Sequence, residues 1–379
     1  MKKILLAMMI SVSFIVSISA FSWEGIVDVN AAFTGPVDEI SLRQTDRLTM
    51  SFKTPIKGSV PMSITGTGFY EFGYQKDLTT DADAVISNLL DVSLLKYNAK
   101  IGDIAIDAGR FSVADVTGLV IAQTLDAAKV TYSASKFNVS AYAGFTGFLN
   151  SHTVSMNIAP NLKFDSEIYA FAAPFVVANA TLSTPRLFLN QDLFAEVLAT
   201  IDVGAKENPD NRVYTNIALV GPLASSLYYS LTSSIAVIQN DSSKWNVSNL
   251  TSLEFTTFFP YGSSMLSWKT VFATNDFKSF SSTSASLTGS VPYSGCVKTG
   301  LVGTIRPIDK VLFFFAPDVL FNVMNDSLNK GYVGFQWMFN AKYTATSDLD
   351  IMATVGQFIP SVKDEKPYLN ASVGLSFKF

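Results

Sequence analysis

The stretch that decides the fold is LNASVGLSFKF, which runs from Leu369 to Phe379 at the end of the chain. Apolar and polar residues alternate through it without a break. One side carries Leu369, Ala371, Val373, Leu375, Phe377 and Phe379, and the other carries Asn370, Ser372, Gly374, Ser376 and Lys378. Strict period-two alternation is typical of a β-strand that has one apolar face and one polar face.

The same alternation recurs along most of the chain. Residues 47–53 alternate in this way, and so do residues 333–344, where Met338 is the one apolar residue on the polar side. The predicted strands are long, about nine to a dozen residues, as tilted strands that cross a bilayer must be. Their apolar sides are rich in Phe, Trp and Tyr near the strand ends, as expected at membrane interfaces.

The composition also favours a membrane barrel. The chain of 379 residues is 48% hydrophobic and has a mean hydropathy of +0.29. After its N-terminus, however, no unbroken apolar run reaches the roughly 18 residues that a spanning helix needs. A closed barrel resolves this, because half of each strand faces lipid and half faces a polar lumen. We therefore predict an all-β fold, a single-domain antiparallel transmembrane β-barrel.

The N-terminus predicts export. Lys2 and Lys3 precede an apolar run over 4–16, and small residues follow at Ser17, Ser19 and Ala20. This is the pattern of a secretory signal peptide. We expect a signal peptide over 1–20, cleavage after Ala20, and a mature barrel over 21–379. Cleavage after Ser19 and an uncleaved membrane anchor are the alternatives.

Charge and cysteine content exclude other classes. The 27 basic residues less the two of the signal peptide leave 25, against 31 acidic residues. This mild acidity, without a basic stripe, disfavours a nucleic-acid partner. The one cysteine, Cys296, excludes an intramolecular disulfide framework. It also lies far from the cleavage site, which excludes a lipoprotein anchor there.

Short and long connections between the predicted strands alternate along the chain. Short turns rich in Gly, Pro or Ser are predicted near residues 56–58, 100–102, 135–136, 184–185, 221–222, 260–262, 306–308 and 346–347. Longer links are predicted at 77–88, 112–125, 146–165, 204–211, 275–295 and 360–366. Periplasmic turns and longer external loops are typical of outer-membrane barrels, whose strand number is even. The count is about 18 strands, with 16 as the alternative.

Three segments do not fit simple alternation. Residues 311–316 are apolar on both faces, residues 166–182 alternate poorly, and the segment 89–99 places Asp91 and Lys96 on opposite faces. We interpret them as bulged strands or as strands packed against material in the lumen.

The C-terminal strand resembles that of bacterial outer-membrane barrels, which commonly ends in an aromatic residue that the assembly machinery recognises. The matching residues are Phe377 and Phe379, on the apolar side. The low-charge, Phe- and Ser-rich texture is similar to that of porin-like barrels of spirochaetes. The resemblance implies location in the bacterial outer membrane after export through the periplasm, with outer-membrane lipid and the barrel-assembly machinery as partners.

A barrel of this size leaves an aqueous channel unless something fills it. The first predicted strand begins at Trp23, which leaves no room for an N-terminal plug. The link 112–125 resembles, in position and length, the third external loop of general porins, which folds into the channel. We therefore expect an outer-membrane porin that admits small hydrophilic solutes by passive diffusion.

Charged residues on the polar faces are the candidates for the channel wall. The pore-lining candidates are Arg47, Lys53, Asp103, Asp107, Arg110, Asp115, Lys129, Glu196, Arg212, Glu254, Lys269 and Lys342. Strict alternation places Arg110 on the lipid side, so either a bulge turns it inward or it anchors at the outer headgroups. The slight acidic excess predicts a weak cation preference; most of these charges are expected only to keep the lumen polar.

Other functions have weaker support. An outer-membrane enzyme would have to use His152 beside Ser151, and nothing around them resembles a catalytic motif. Asp77, Asp81 and Asp83 lack the glycine and glutamate of a calcium loop, so no metal and no cofactor is expected. A surface adhesin using 146–165 and 275–295, and a substrate-selective transporter, are the alternatives. The sequence leaves a homo-oligomer open.

Overall fold

Antiparallel strands make up most of the described chain. The computed structural model describes residues 21–56, 58, 60–154, 156–157, 168–205, 209–241, 244–260, 264–281, 294–324, 331–362 and 365–379. Its 18 strands are β1 (Ser22–Pro36), β2 (Ser41–Ile56), β3 (Met62–Asp77), β4 (Val85–Ile101), β5 (Ile104–Ala114), β6 (Ala122–Ser133), β7 (Asn138–Phe145), β8 (Phe175–Phe188), β9 (Gln191–Asp202), β10 (Arg212–Pro222), β11 (Leu227–Asp241), β12 (Lys244–Phe259), β13 (Ser264–Ala273), β14 (Cys296–Ile308), β15 (Val311–Asn322), β16 (Gly331–Thr344), β17 (Leu349–Pro360) and β18 (Tyr368–Lys378).

The sheet closes on itself. Each strand pairs with its neighbours in sequence, and β1 pairs with both β2 and β18. The β1–β18 register runs from Ile26↔Lys378 to Pro36↔Tyr368. Beyond it, the backbone of Gly25 exchanges two hydrogen bonds with that of Phe379, so the last residue of the chain completes the seam. The prediction of a closed antiparallel barrel of 18 strands is confirmed.

Each strand presents an apolar face to the outside. On β18, Val373, Leu375 and Phe377 are 57%, 43% and 47% exposed, which matches a surface that meets lipid rather than a protein core. The intervening polar residues face the lumen, as the final stretch of sequence predicts. Among the described residues, no helix is long and apolar enough to cross a membrane.

Turn positions differ from the predictions in three places, one of which is the expected turn at 221–222, where β10 still runs and the reversal follows at 223–226. The expected turn at 184–185 lies inside β8, and the chain reverses at Leu189 and Asn190, whose φ angles are 46° and 62°. The expected turn at 306–308 lies inside β14, and the reversal follows at 309–310. In β8 and β14 the register shifts near a proline, which lacks the N–H that the ladder requires. Proline therefore marks a bulge here rather than the turn itself.

The irregular segments have structural explanations. The register of β3 and β4 shifts between Thr67 and Gly68, so a bulge at Ser93 puts both Asp91 and Lys96 on the lumen side. Residues 311–316 lie in β15, where Leu312 and Phe314 pair with the lumen-facing side of β16. Of the segment 166–182, residues 166–167 lie outside the described residues and regular pairing begins at Phe175.

The two faces of β18 can be tested directly. Val373→Arg places a charge at the middle of β18 on the lipid side, and we expect it to lower the free energy of unfolding by about 2–4 kcal/mol. Ser372→Arg is the matched control. Ser372 is next to Val373 but its side chain faces the lumen, so we expect this substitution to change the free energy of unfolding by less than about 1 kcal/mol. Urea titration of the refolded barrel in lipid vesicles measures both. Equal losses for the two variants would show that the faces are assigned wrongly.

Candidate functional site

Three loops fold into the barrel and cover one side of the lumen wall. They are residues 115–121 between β5 and β6, residues 146–157 after β7 (described except for residue 155), and residues 274–281 after β13. Under them the lumen side of β9–β11 is fully buried at Leu198, Tyr214 and Ile238, whereas the outward neighbours Ile217 and Ile235 are each 50% exposed. These loops and the wall beneath them share one apolar cluster.

The three loops interlock through their backbones. Phe280 N–H and Ser281 N–H both donate to the carbonyl of Val120, at 2.8 and 3.1 Å. Asn157 N–H donates to the carbonyl of Phe280 at 2.7 Å. Ala122 N–H donates to the hydroxyl of Ser281 at 2.8 Å. Buried backbone N–H and C=O groups need hydrogen-bond partners, and here each loop provides these partners to another loop in place of water.

Asp115 shapes the 115–121 loop. Its carboxylate accepts hydrogen bonds from the backbone N–H groups of Thr117, Val120 and Ile121 at 2.8–2.9 Å. Gly118 has φ of 66°, which a glycine adopts without strain. The side chain of Asp115 is only 5% exposed, so its charge serves the turn rather than the open channel.

Glu196 holds the same loop to the opposite wall. Its carboxylate accepts from Asn179 Nδ2 at 2.5 Å, Asn216 Nδ2 at 2.7 Å, Thr181 Oγ1 at 3.2 Å and Val116 N at 3.2 Å. Glu196 is 3% exposed. A buried carboxylate is tolerated when its lone pairs are used in this way. The sequence predicted its lumen side, but not that a loop would cover it.

The open part of the lumen lies along β18, β1–β6 and part of β7. A cavity of about 470 Å³ borders β18 and β1–β3, another of about 380 Å³ borders β2–β6, and a third of about 520 Å³ reaches from β3 to β7. The first and second cavities share Arg43, Arg47 and Glu71, and the second and third share Ser93, so together they form a continuous crescent beside the loops.

Ion pairs between neighbouring strands line this crescent. Arg47 Nε donates to Glu71 Oε2 at 2.8 Å, and the Arg47 guanidinium lies 4.4 Å from the centre of the Phe69 ring. Lys96 Nζ lies 3.6 Å from the carboxylate of Asp107, which pairs across strands with Lys129. Most of these charges are therefore balanced locally.

The remaining predicted wall charges lie in similar pairs or near the rim. Lys269 Nζ is 3.7 Å from Glu254, and Lys342 Nζ is 2.8 Å from Asp350. Lys298 on β14 lies 3.4 Å from Asp318 on β15, a charged residue that is not among the predicted wall residues. Lys53 and Asp103 are exposed near the turn side of the barrel. Asp318 lies near Lys298 because β14 pairs with β15, which the alternation within a single strand does not show.

Arg110 borders the cavity of about 380 Å³. The register of β5 is continuous, so no bulge turns it inward. The pairing of β4 with β5 ends at Leu95↔Arg110, because above this point the β5–β6 hairpin bends into the lumen. Arg110 fills the resulting opening in the wall, where it pairs with Asp126 Oδ1 at 2.8 Å and with Asp91 Oδ1 at 3.3 Å.

The loop after β7 covers the same opening from the other side. The carbonyl of Phe148 accepts from Arg110 Nη2 at 2.7 Å, and Asn150 Nδ2 donates to the carbonyl of Leu90 on β4 at 3.4 Å. An isolated bridge between Asn150 and Phe171 makes this loop an extension of the β7–β8 hairpin. The bent hairpin and the covering loop thus restore the wall together.

The structure also bears on the residues considered for an adhesin, an enzyme or a metal site. Phe277 and Phe280 lie in the 275–295 link, which the adhesin alternative would use, and both are fully buried against the barrel wall. Residues 282–293 of that link lie outside the described residues. His152 borders the middle cavity with Arg43 and Asp91. Among the described residues, no three His, Cys, Asp or Glu side chains are grouped to hold a metal.

Comparison with known proteins shows the fold only. No protein-family model matches the sequence, and no curated protein matches it. OpdQ of Pseudomonas aeruginosa is similar with a TM-score of 0.66 at 10% identity, over 96% of this chain and 99% of that one. OccK2 (OpdF) of P. aeruginosa, solved with glucuronate, gives 0.66 at 12% identity over 95% and 98%. The outer membrane protein opdK of the same species gives 0.65 at 11% identity over 95% and 98%.

The ion pairs of Arg110 can be tested by stability. Arg110→Ala leaves Asp91 and Asp126, 5% and 25% exposed at their side chains, without their cation. We expect a loss of roughly 3 kcal/mol in the free energy of unfolding. Lys269→Ala is the control. Its ion pair is well exposed, so we expect its loss to lower the free energy of unfolding by less than about 1 kcal/mol. Urea unfolding in vesicles that shows no larger loss for Arg110→Ala contradicts the wall-closing role.

Proposed function

We propose that this protein is an outer-membrane porin that lets small hydrophilic solutes cross by passive diffusion. The observation that carries the proposal is the crescent of cavities lined by Arg43, Arg47, Glu71, Lys96 and Asp107, left open beside the inward loops of a closed barrel. A lumen lined by paired charges holds water, whereas a sealed barrel would pack its interior with apolar side chains. The similar fold of an outer membrane protein supports this location.

Single-channel recording tests the proposal. The mature chain, refolded in detergent, is added to a planar lipid bilayer in symmetric potassium chloride. We expect stable stepwise conductance, because a water-filled crescent admits hydrated ions. Heat-modifiable gel mobility checks that the sample is folded. A folded protein that produces no current steps contradicts the porin function.

The weak cation preference stays a prediction. The wall pairs Arg47–Glu71, Lys96–Asp107 and Lys342–Asp350 leave little net charge, so the acidic excess can bias permeation only slightly. The reversal potential in asymmetric potassium chloride measures it. A potential of the sign for chloride selectivity would make this prediction wrong without affecting the porin proposal.

A second candidate function is selective passage of a small anionic solute. The cavity of about 520 Å³ is lined by Lys96, Lys129 and Asp107, two cations for one anion. Tyr142 borders it as well; its side chain is 7% exposed and its hydroxyl has no hydrogen-bond partner among the described residues. Two ammonium groups are suited to bind the carboxylate of a small hydroxylated solute. Glucuronate, held by OccK2, has this chemistry.

Glucuronate is therefore the probe for this second function. We expect it to interrupt the potassium chloride current of the wild-type channel, and Lys96→Ala with Lys129→Ala to weaken this block by about tenfold or more. Lys342→Ala is the charge-matched control and should leave the block unchanged. Uncharged glucose controls for size. Equal block by glucose, or a block that survives the double substitution, removes the case for an anion site.

Other roles follow from the barrel. Phe377 and Phe379 are about half exposed on the lipid side, at 47% and 52%, where assembly machinery would reach them, and we propose that they carry the assembly signal. Outer-membrane lipid would surround the apolar faces. An adhesin role would rest on the external links, and residues 158–167 and 282–293 of these lie outside the described residues. The similar solved structures give no reason to propose an enzyme.

A further inference from the structure

We propose that the three inward loops form one plug, held against the barrel wall by Arg212, and that this single residue thereby sets the cross-section of the channel. The inference rests on the porin function proposed above. It concerns a residue that alternation assigned to the pore lining and that the structure places behind the loops.

Arg212 touches two loops at once. Its side chain is fully buried at the start of β10. One η nitrogen donates to the carbonyl of Ser279 at 2.8 Å, and the other donates to the carbonyl of Asn157 at 2.7 Å. Its ε nitrogen donates to Asp210 at 2.7 Å, which balances the charge. The guanidinium thus joins residues that lie far apart in sequence.

The acceptors explain why arginine is needed. A buried guanidinium must place its five N–H donors, and the planar fork can serve several acceptors in fixed directions. Here two of the acceptors are main-chain carbonyls, whose positions define where the loops run. The Phe280 ring also lies 6.0 Å from the guanidinium carbon. A lysine, with one nitrogen, could not span the same set.

Neighbouring wall residues reinforce the attachment. Tyr214, two residues along the same face of β10, donates its hydroxyl to the carbonyl of Lys278 at 2.6 Å. Its ring packs edge-on against Phe277 with centroids 6.4 Å apart. On β9, Glu196 accepts from Val116 N. The contacts from Phe280 and Ser281 to Val120 then couple the loops to one another.

The wall itself does not depend on the plug. β10 pairs with β9 from Arg212↔Thr200 to Val220↔Asp192, and with β11 from Arg212↔Ile238 to Pro222↔Tyr228. All ladder hydrogen bonds of this wall lie between strands. Losing Arg212 should therefore free the loops while the barrel stays closed, and the channel should become wider rather than collapse.

Arg212→Ala is tested in planar bilayers and by polyethylene glycols of graded size. We expect the single-channel conductance to rise by about twofold and larger polymers to enter, because water then occupies the part of the lumen that the loops no longer fill. Lys342→Ala also removes a lumen cation but touches no inward loop, and it should keep the wild-type size limit for polymers even where the altered wall charge changes the ion current. A folded Arg212→Ala channel with the wild-type conductance and size limit overturns the proposal.

Hydrogen exchange on the folded protein provides a readout that does not depend on current. In Arg212→Ala, backbone amides of 115–121 and 274–281 should exchange at least about tenfold faster, while those of β9–β11 stay protected. Protected loop amides in the variant also overturn the proposal. A wild-type protein that carries no current would contradict the porin function alone, since exchange still decides whether Arg212 holds the plug.

Tyr214→Phe covers the case in which Arg212→Ala does not fold. It removes one hydroxyl, the donor to Lys278, and preserves the ring, so folding is retained. We expect added transitions to a higher conductance level and faster exchange over 274–281. Unchanged current levels and unchanged exchange in this variant would count against an anchored plug.

Discussion

The backbone of a strand in lipid has no water to bond, and every feature of this molecule depends on that constraint. An open sheet would leave two edges unpaired, at a cost of several kcal/mol for each exposed group. Here the seam between β1 and β18 is complete, down to the paired backbones of Gly25 and Phe379. Once the edges are closed, the strands need only an apolar outer face, and their inner faces are released for other uses.

The inner face is used differently on the two sides of the barrel. On β9–β11 it supports the three loops, which bury apolar side chains and satisfy one another's backbone groups. On β18 and β1–β6 it stays wet and carries pairs such as Arg47–Glu71. A lumen of reduced cross-section results from this asymmetry, because the interior of an 18-stranded barrel would otherwise be much wider.

Folding the β5–β6 hairpin inward opens the wall above Leu95 and Arg110, and the molecule repairs it locally. Arg110 joins Asp91 of β4 to Asp126 of β6, and the loop after β7 donates and accepts across the same opening. The constriction and the wall are therefore coupled. This coupling gives a physical reason for an arginine at a position that strict alternation places on the lipid side.

The sequence by itself determined the class of fold, the closure, an even strand number of 18 or 16 and most turn positions, because the alternation of residues such as Val373 and Ser372 is local and reports directly on two-sided strands. The inward loop at 112–125 was expected from its resemblance to the third external loop of general porins. Tertiary structure alone decided what the charged residues do. Alternation gives the side of a strand on which Glu196 or Arg212 points, but only the packing of distant loops, such as 274–281 on β10, determines whether that side meets water or protein.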